Sequence, residues 1–239
     1  MNPSTSNSPP STLLEARGVG RRAPNSDNWL LRDVDLSIER GGRLAIVGPT
    51  GSGKTLLMRA LSRLDAIDAG EILWQGSPIL GDAIPRFRQD AIYLHQRPAL
   101  LDATVEENLR LPFTFQCHRE SEFSREEIIP QLEVVHRTES FLDRSSRDLS
   151  GGEMQIVALL RAIQLQPSML LLDEPTASLD DESTEMIEQL INGWFESSPT
   201  GRALLWVSHD KRQVARVANR VLSMNAGELF AEEDGESPP

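Results

Sequence analysis

Gly48-Pro49-Thr50-Gly51-Ser52-Gly53-Lys54-Thr55 restricts what this chain can become more than any other segment. It follows the apolar run Arg43–Val47 (RLAIV) and precedes Leu57, Ala60, Leu61 and Leu64, which recur at helical spacing. A strand, a glycine-rich turn and a helix beginning near Lys54 are therefore expected in that order. Glycines there let the backbone curl until successive N–H groups point inward, at the positive end of the following helix. An anion such as phosphate fits that cradle. Lys54 then sets a cation against the β and γ phosphates of a nucleotide, and Thr55 offers a hydroxyl to Mg²⁺. The whole run, Gly48, Pro49, Thr50, Gly51, Ser52, Gly53, Lys54 and Thr55, is expected to line the nucleotide.

The rest of the chain alternates short apolar runs with helix-period stretches, which predicts α/β architecture. Met169–Leu172 (MLLL) lies between Pro167 and Asp173, too short for a helix and suited to a buried parallel strand. Ala203–Val207 (ALLWV) behaves the same way, and Val221–Met224 and Glu228–Phe230 flank Asn225-Ala226-Gly227 as an edge hairpin would. From about 97 to 166 the pattern is helical and rich in Glu and Arg, with no convincing strand, so a helical subdomain inserted into the α/β core is expected. Thr104 with Glu107, and Ser150 with Glu153, have capping-box spacing. The MLLL strand ends in Asp173-Glu174. After a phosphate loop, such a pair suits a nucleotide hydrolase: Asp173 to hold Mg²⁺, through water, and Glu174 to polarise the attacking water.

A length of 239 residues allows one large domain or two small ones, and 39% apolar with 25% charged residues is an ordinary globular composition. The longest apolar runs are five residues, against about twenty needed to span a bilayer. A net charge of −12 repels phosphate backbones and argues against a general nucleic-acid binder. Cys117, the single cysteine, has no internal partner, which is compatible with a reducing compartment. Residues 1–12 (MNPSTSNSPPST) have no apolar signal region and predict a disordered tail. Residues 231–239 predict an acidic one, so the globular domain is expected over 13–230. His95, His118 and His136 are expected to be ordinary surface or core histidines.

Leu149-Ser150-Gly151-Gly152-Glu153-Met154-Gln155 resembles the signature of ABC-type ATPases, and other segments stand in that family's order. Gln96 occupies the place of the Q-loop glutamine, Ser178-Leu179-Asp180 looks like the D-loop, and His209 in Val207-Ser208-His209-Asp210 looks like the switch histidine. The resemblance runs from about Leu13 to Phe230. It implies a P-loop NTPase core with a mostly parallel central sheet, an N-terminal antiparallel β portion and the inserted helical subdomain. It also implies ATP and Mg²⁺, with Glu174 as general base, His209 at the γ-phosphate, and Gln96 touching the metal or the water while reporting occupancy to a partner. Ser150, Gly151, Gly152 and Asp180 would complete the site of a second subunit, because two ATP molecules are sandwiched in a head-to-tail homodimer.

Family members usually carry an aromatic residue that stacks on adenine. Here the equivalent stretch reads Gly18-Val19-Gly20-Arg21-Arg22, and the resemblance leaves Arg21, Arg22 and Trp29 as alternatives. Transport through a separate integral-membrane permease is the expected role, at the cytoplasmic face of the inner (plasma) membrane, without nucleic acid. Segment 97–115 would meet that permease, through residues such as Leu100, Leu101, Leu109, Leu111 and Phe113, which pack the subdomain on the alternative reading. Residues 99–113 and 204–211 are most similar to the Fet-type iron-export ATPases. Lipoprotein-release and amino-acid-uptake ATPases, and a soluble ATPase of iron–sulfur cluster assembly, are the alternatives.

Overall fold

The computed structural model describes residues 11–118 and 120–231. The expected tails lie mostly outside that range; within it, Thr12 already belongs to the first strand and Ala231 to the last. Two sheets organise the chain. β1 (Thr12–Arg22), β2 (Trp29–Glu39), β4 (Ala69–Trp74) and the two-residue β5 (Ser77–Pro78) form an antiparallel sheet in the order β2-β1-β4-β5. β3 (Arg43–Val47), β6 (Ala91–Leu94), β7 (Met169–Asp173), β8 (Ala203–Val207), β9 (Arg220–Asn225) and β10 (Glu228–Ala231) form the second, ordered β10-β9-β3-β8-β7-β6. Every pairing in it is parallel except β9 with β10, the edge hairpin read from the sequence. Ala226 and Gly227 both take positive φ, 47° and 85°, the backbone of a two-residue turn matched to strand twist.

The uninterrupted apolar runs of β7 and β8 follow from burial on both faces. Met169, Leu171, Ala203 and Leu205 enter one core, shared with the antiparallel sheet and α1 (Lys54–Leu61). Leu170, Leu172, Leu204 and Trp206 enter the other, packed beneath α5 (Gly151–Ile163) and α6 (Asp181–Glu196). The helix after the phosphate loop is shorter than its leucine spacing predicts. α1 ends at Leu61, Arg63 takes φ 55°, and Leu64 is exposed rather than packed.

α2 (Ala83–Asp90) leads into β6. Between β6 and β7 lie α3 (Val105–Arg110), α4 (Arg125–Val134) and α5, with short 3₁₀ turns and no strand among the described residues. Both capping boxes form: Thr104 and Ser150 each accept from the N3 backbone while Glu107 and Glu153 reach back. Asn108, fully buried, accepts from Leu101 N at 2.7 Å and donates to Leu101 O at 3.1 Å and Thr104 O at 2.9 Å, which pins the loop after β6 to α3. Replacing Asn108 by Ala strands the Leu101 N–H and should cost about 2 kcal/mol. Urea unfolding of the variant checks this, and an unchanged midpoint would refute it.

Candidate functional site

The parallel register aligns the ends of the strands. Ile46 pairs with Val207, Asp173 with Val207, and Leu94 with Leu172. The loops after β3, β6, β7 and β8 therefore leave the sheet at one edge, where open α/β sheets bind ligands. Those loops carry the phosphate-loop run, Gln96, Glu174 and His209.

The phosphate loop is tightly backed. At Gly48 (φ 151°) a Cβ would stand 2.2 Å from Met224 O, so no side chain fits. At Gly53 (φ 109°) it would approach Met224 Cε at 3.0 Å. Lys54 is buried, and its ammonium donates to Gly48 O at 2.7 Å and Pro49 O at 3.0 Å, so the cation closes back over the loop. Ser52 Oγ is buried with no hydrogen-bond partner among the described residues. A loop of this shape, with a buried cation and an orphaned hydroxyl, suits an oxyanion.

Glu174 takes φ 49°, a left-handed backbone uncommon outside glycine, and its N–H donates to Val207 O at 3.0 Å. The side chain meets Gln96 Nε2 at 3.3 Å and lies 3.7 Å from His209 Nδ1. Gln96, Glu174 and His209 are thus brought together. Asp173 is 2% exposed, and Tyr93 donates its hydroxyl to Asp173 Oδ2 at 3.1 Å; burial and that carboxylate push the phenol upward in pKa. Sequence reading missed Tyr93, although its place three residues before Gln96 on a half-buried strand was the available signal. The hydroxyl of Thr55, the amide oxygen of Gln96 and the carboxylate of Asp173 are oxygen ligands of the kind a hard cation such as Mg²⁺ takes.

The signature segment does not join this group: no hydrogen bond links Ser150–Gly152 to the phosphate loop among the described residues. Ser150 Oγ instead accepts from Glu153 N at 3.2 Å, and Gly152 lies against Ser183, where a Cβ would stand 2.7 Å from Oγ. A Cβ on Gly151 would meet nothing within 4 Å among the described residues, so that side of the helix end is open. Asp180 caps α6, accepting from Ser183 N at 2.7 Å and Ser183 Oγ at 3.2 Å; these bonds hold its carboxyl below the usual range.

Of the adenine candidates, Arg21 is committed elsewhere. It pairs with Asp65, which also takes Arg59 in a two-pronged contact at 2.7 and 2.8 Å. Arg22 lies 4.6 Å from the centroid of the Trp29 ring, and Trp29 is 38% exposed. The residue after Trp29, Leu30, puts its carbonyl oxygen 3.4 Å from where a Cβ on Gly53 would stand, while the Trp29 ring itself lies against Gly20.

Such an edge, with its phosphate loop and carboxylate pair, defines a P-loop nucleotide hydrolase. The ABC transporter family profile matches residues 31–177. Protein STAR1 of Oryza sativa subsp. japonica is 35% identical over 216 residues, 90% of this chain; the chain spans 61% of that protein's length. "Probable iron export ATP-binding protein FetA" of Escherichia coli K12 is 31% identical over 221 residues, covering 92% of this chain and 95% of the relative. The dimeric structure of MJ0796, a bacterial ABC transporter cassette, superposes with a TM-score of 0.78 at 29% identity, over 92% of this chain and 98% of that one. The chain belongs to the ABC transporter family, as an ATP-hydrolysing, ATP-binding subunit.

The Arg59 and Arg21 contacts hold the Asp65 carboxyl at about 2, below its ordinary 3.8. A depressed carboxylate stabilises the fold above its unfolded pKa and loses that contribution as pH falls, here between about pH 4 and 2. Asp65→Asn should therefore cost about 1–2 kcal/mol at neutral pH, after allowance for the partly exposed arginines, and flatten that acid limb. Thermal melts from pH 2 to 7 check it; an unaltered acid limb would count against the contact.

Proposed function

We propose that this subunit works as a head-to-tail homodimer bound to an integral-membrane permease at the cytoplasmic face of the membrane, and that the transporter exports a metal ion. The observation that carries the site reading is the meeting of Gln96, Glu174 and His209 at the sheet edge from which the phosphate loop also leaves. Lys54 holds the β and γ phosphates of ATP, exchanging two neutral carbonyl partners for a charged one. Glu174 accepts the proton of the attacking water, and His209, within reach of the same carboxylate, orients it at the γ-phosphate. Thr55, Asp173 and Gln96 would hold Mg²⁺, which neutralises phosphate charge.

The open helix end at Ser150, Gly151 and Gly152 is left to face a second copy, whose γ-phosphate it would bind; Asp180, at the cap of α6 beside Ser183, belongs to the same surface. That MJ0796 forms a dimeric cassette supports the pairing. In segment 97–115, Leu109 is core, Leu100 packs against the second core, and Leu101 and Phe115 are exposed. These two exposed side chains suit contact with a permease. Metal export rests on the likeness to FetA; other relatives of similar identity are named for spermidine/putrescine, amino-acid and molybdenum import. For the nucleobase, the Trp29–Arg22 stack is the platform, since Arg21 is held by Asp65.

Lys54→Ala should abolish ATP turnover. Glu174→Gln should lower kcat by at least about 100-fold and leave an ATP-bound dimer visible by size-exclusion chromatography. Wild-type turnover by Glu174→Gln would remove it as the base. Pull-down of that variant with ATP from detergent-solubilised membranes should recover a multi-span protein. Recovery of soluble partners alone would transfer the chain to an assembly role.

Trp29→Ala should weaken ATP binding about 5-fold, about 1 kcal/mol of stacking, with kcat unchanged, whereas Arg21→Ala should not weaken it. Equal affinities in calorimetry for wild type and Trp29→Ala would dismiss the platform.

A further inference from the structure

Gln213, at 3% exposure, lies in the first turn of α7 (Lys211–Val217) beside apolar Val214. Its carboxamide Nε2 donates to Thr176 Oγ1 at 2.8 Å and to Glu188 Oε1 at 3.0 Å, and its Oε1 accepts from Ser208 Oγ at 3.0 Å. Glu188 fixes the orientation of the amide: a carboxylate only accepts, so the nitrogen must face it and the oxygen must face Ser208. Arg216 in turn holds Glu188, at 2.8 and 3.1 Å. Ser208 Oγ also accepts from Asp210 N at 3.0 Å, closing the turn around His209.

The three partners stand at telling places. Ser208 immediately precedes His209, Thr176 follows Glu174 by two residues, and Glu188 lies on α6, the helix that Asp180 caps. One buried amide therefore ties together the two loops whose side chains, His209 and Glu174, stand 3.7 Å apart. Both loops are otherwise joined to the sheet through backbone bonds, Glu174 N to Val207 O and Ser208 N to Ile46 O.

We propose that Gln213 is a positioning residue for ATP hydrolysis: by holding Ser208 and Thr176 in one buried network it sets the spacing of His209 and Glu174. The proposal rests on the roles given above to those two side chains. Gln213 acts through them. Losing the amide frees the two loops to separate, and a reacting geometry loosened by about 1 Å costs on the order of 10- to 100-fold in rate.

Steady-state kinetics of Gln213→Met, His209→Ala and the double variant, each checked for folding by thermal melt, provide the test. Gln213→Met should lower kcat about 10-fold with KM for ATP within about 2-fold, because the phosphate loop is untouched. In the His209→Ala background the same change should cost less than about 2-fold, since the spacing it maintains no longer serves a histidine. Gln213→Glu should also fail, because it sets a second carboxylate against Glu188. Combining it with Glu188→Gln restores a donor facing an acceptor and should recover kcat to within about 3-fold of wild type. That pair carries the test if Gln213→Met does not fold.

Undiminished kcat in folded Gln213→Met, losses that multiply with His209→Ala, or no rescue by the swapped pair would each overturn the proposal. If His209→Ala alone keeps wild-type kcat, the site reading falls first and takes this inference with it.

Discussion

Parallel alignment of β3, β6, β7 and β8 is the constraint on which the site depends. Hydrogen-bond register fixes where each strand stops, and Asp173 opposite Val207 opposite Ile46 means that three of the loops emerge within one residue step of each other. Gln96 and Glu174, 78 positions apart in the chain, meet for that reason. The register is held in turn by burial on both faces: sliding one strand by a single residue would exchange the sets of side chains that enter the two cores.

Backbone geometry then does what side chains could not. Gly48 must lack a Cβ because Met224 O stands behind it, so the β9–β10 hairpin presses the phosphate loop into shape from the side. Gly227 N donates to Ser52 O at 2.9 Å, and Arg32 N to Gly227 O at 3.0 Å, so one turn residue links the loop to the antiparallel sheet. The nucleotide edge is therefore supported by both sheets. Glu174 also takes a positive φ, held by its bond to Val207 O and the turn that follows.

Much of this was legible in the residues. Strands written as unbroken apolar runs, RLAIV, MLLL and ALLWV, fall at β3, β7 and β8, because a strand buried on both faces has no polar alternation to blur its limits. The capping boxes and the edge hairpin are local chemistry, so four to six residues suffice to specify them. β1 and β2 escaped residue-level reading because a half-exposed strand with several register shifts leaves a weak pattern. The length of α1 was overestimated because leucine spacing says nothing of Arg63, whose left-handed backbone ends the helix. Tyr93 and Gln213 gave no motif; each matters through one hydrogen bond to a residue far along the chain.

The sequence by itself determined the phosphate loop, its strand and helix, the carboxylate pair and the family's order of motifs, since all of these are spacings within a short segment. The tertiary structure alone decided which side chains meet: Glu174 with Gln96 and His209, Asp173 with Tyr93, Arg21 with Asp65, and Ser150 with Glu153. Such contacts depend on strand order and register, which many distant burial choices fix together and no local run of residues records.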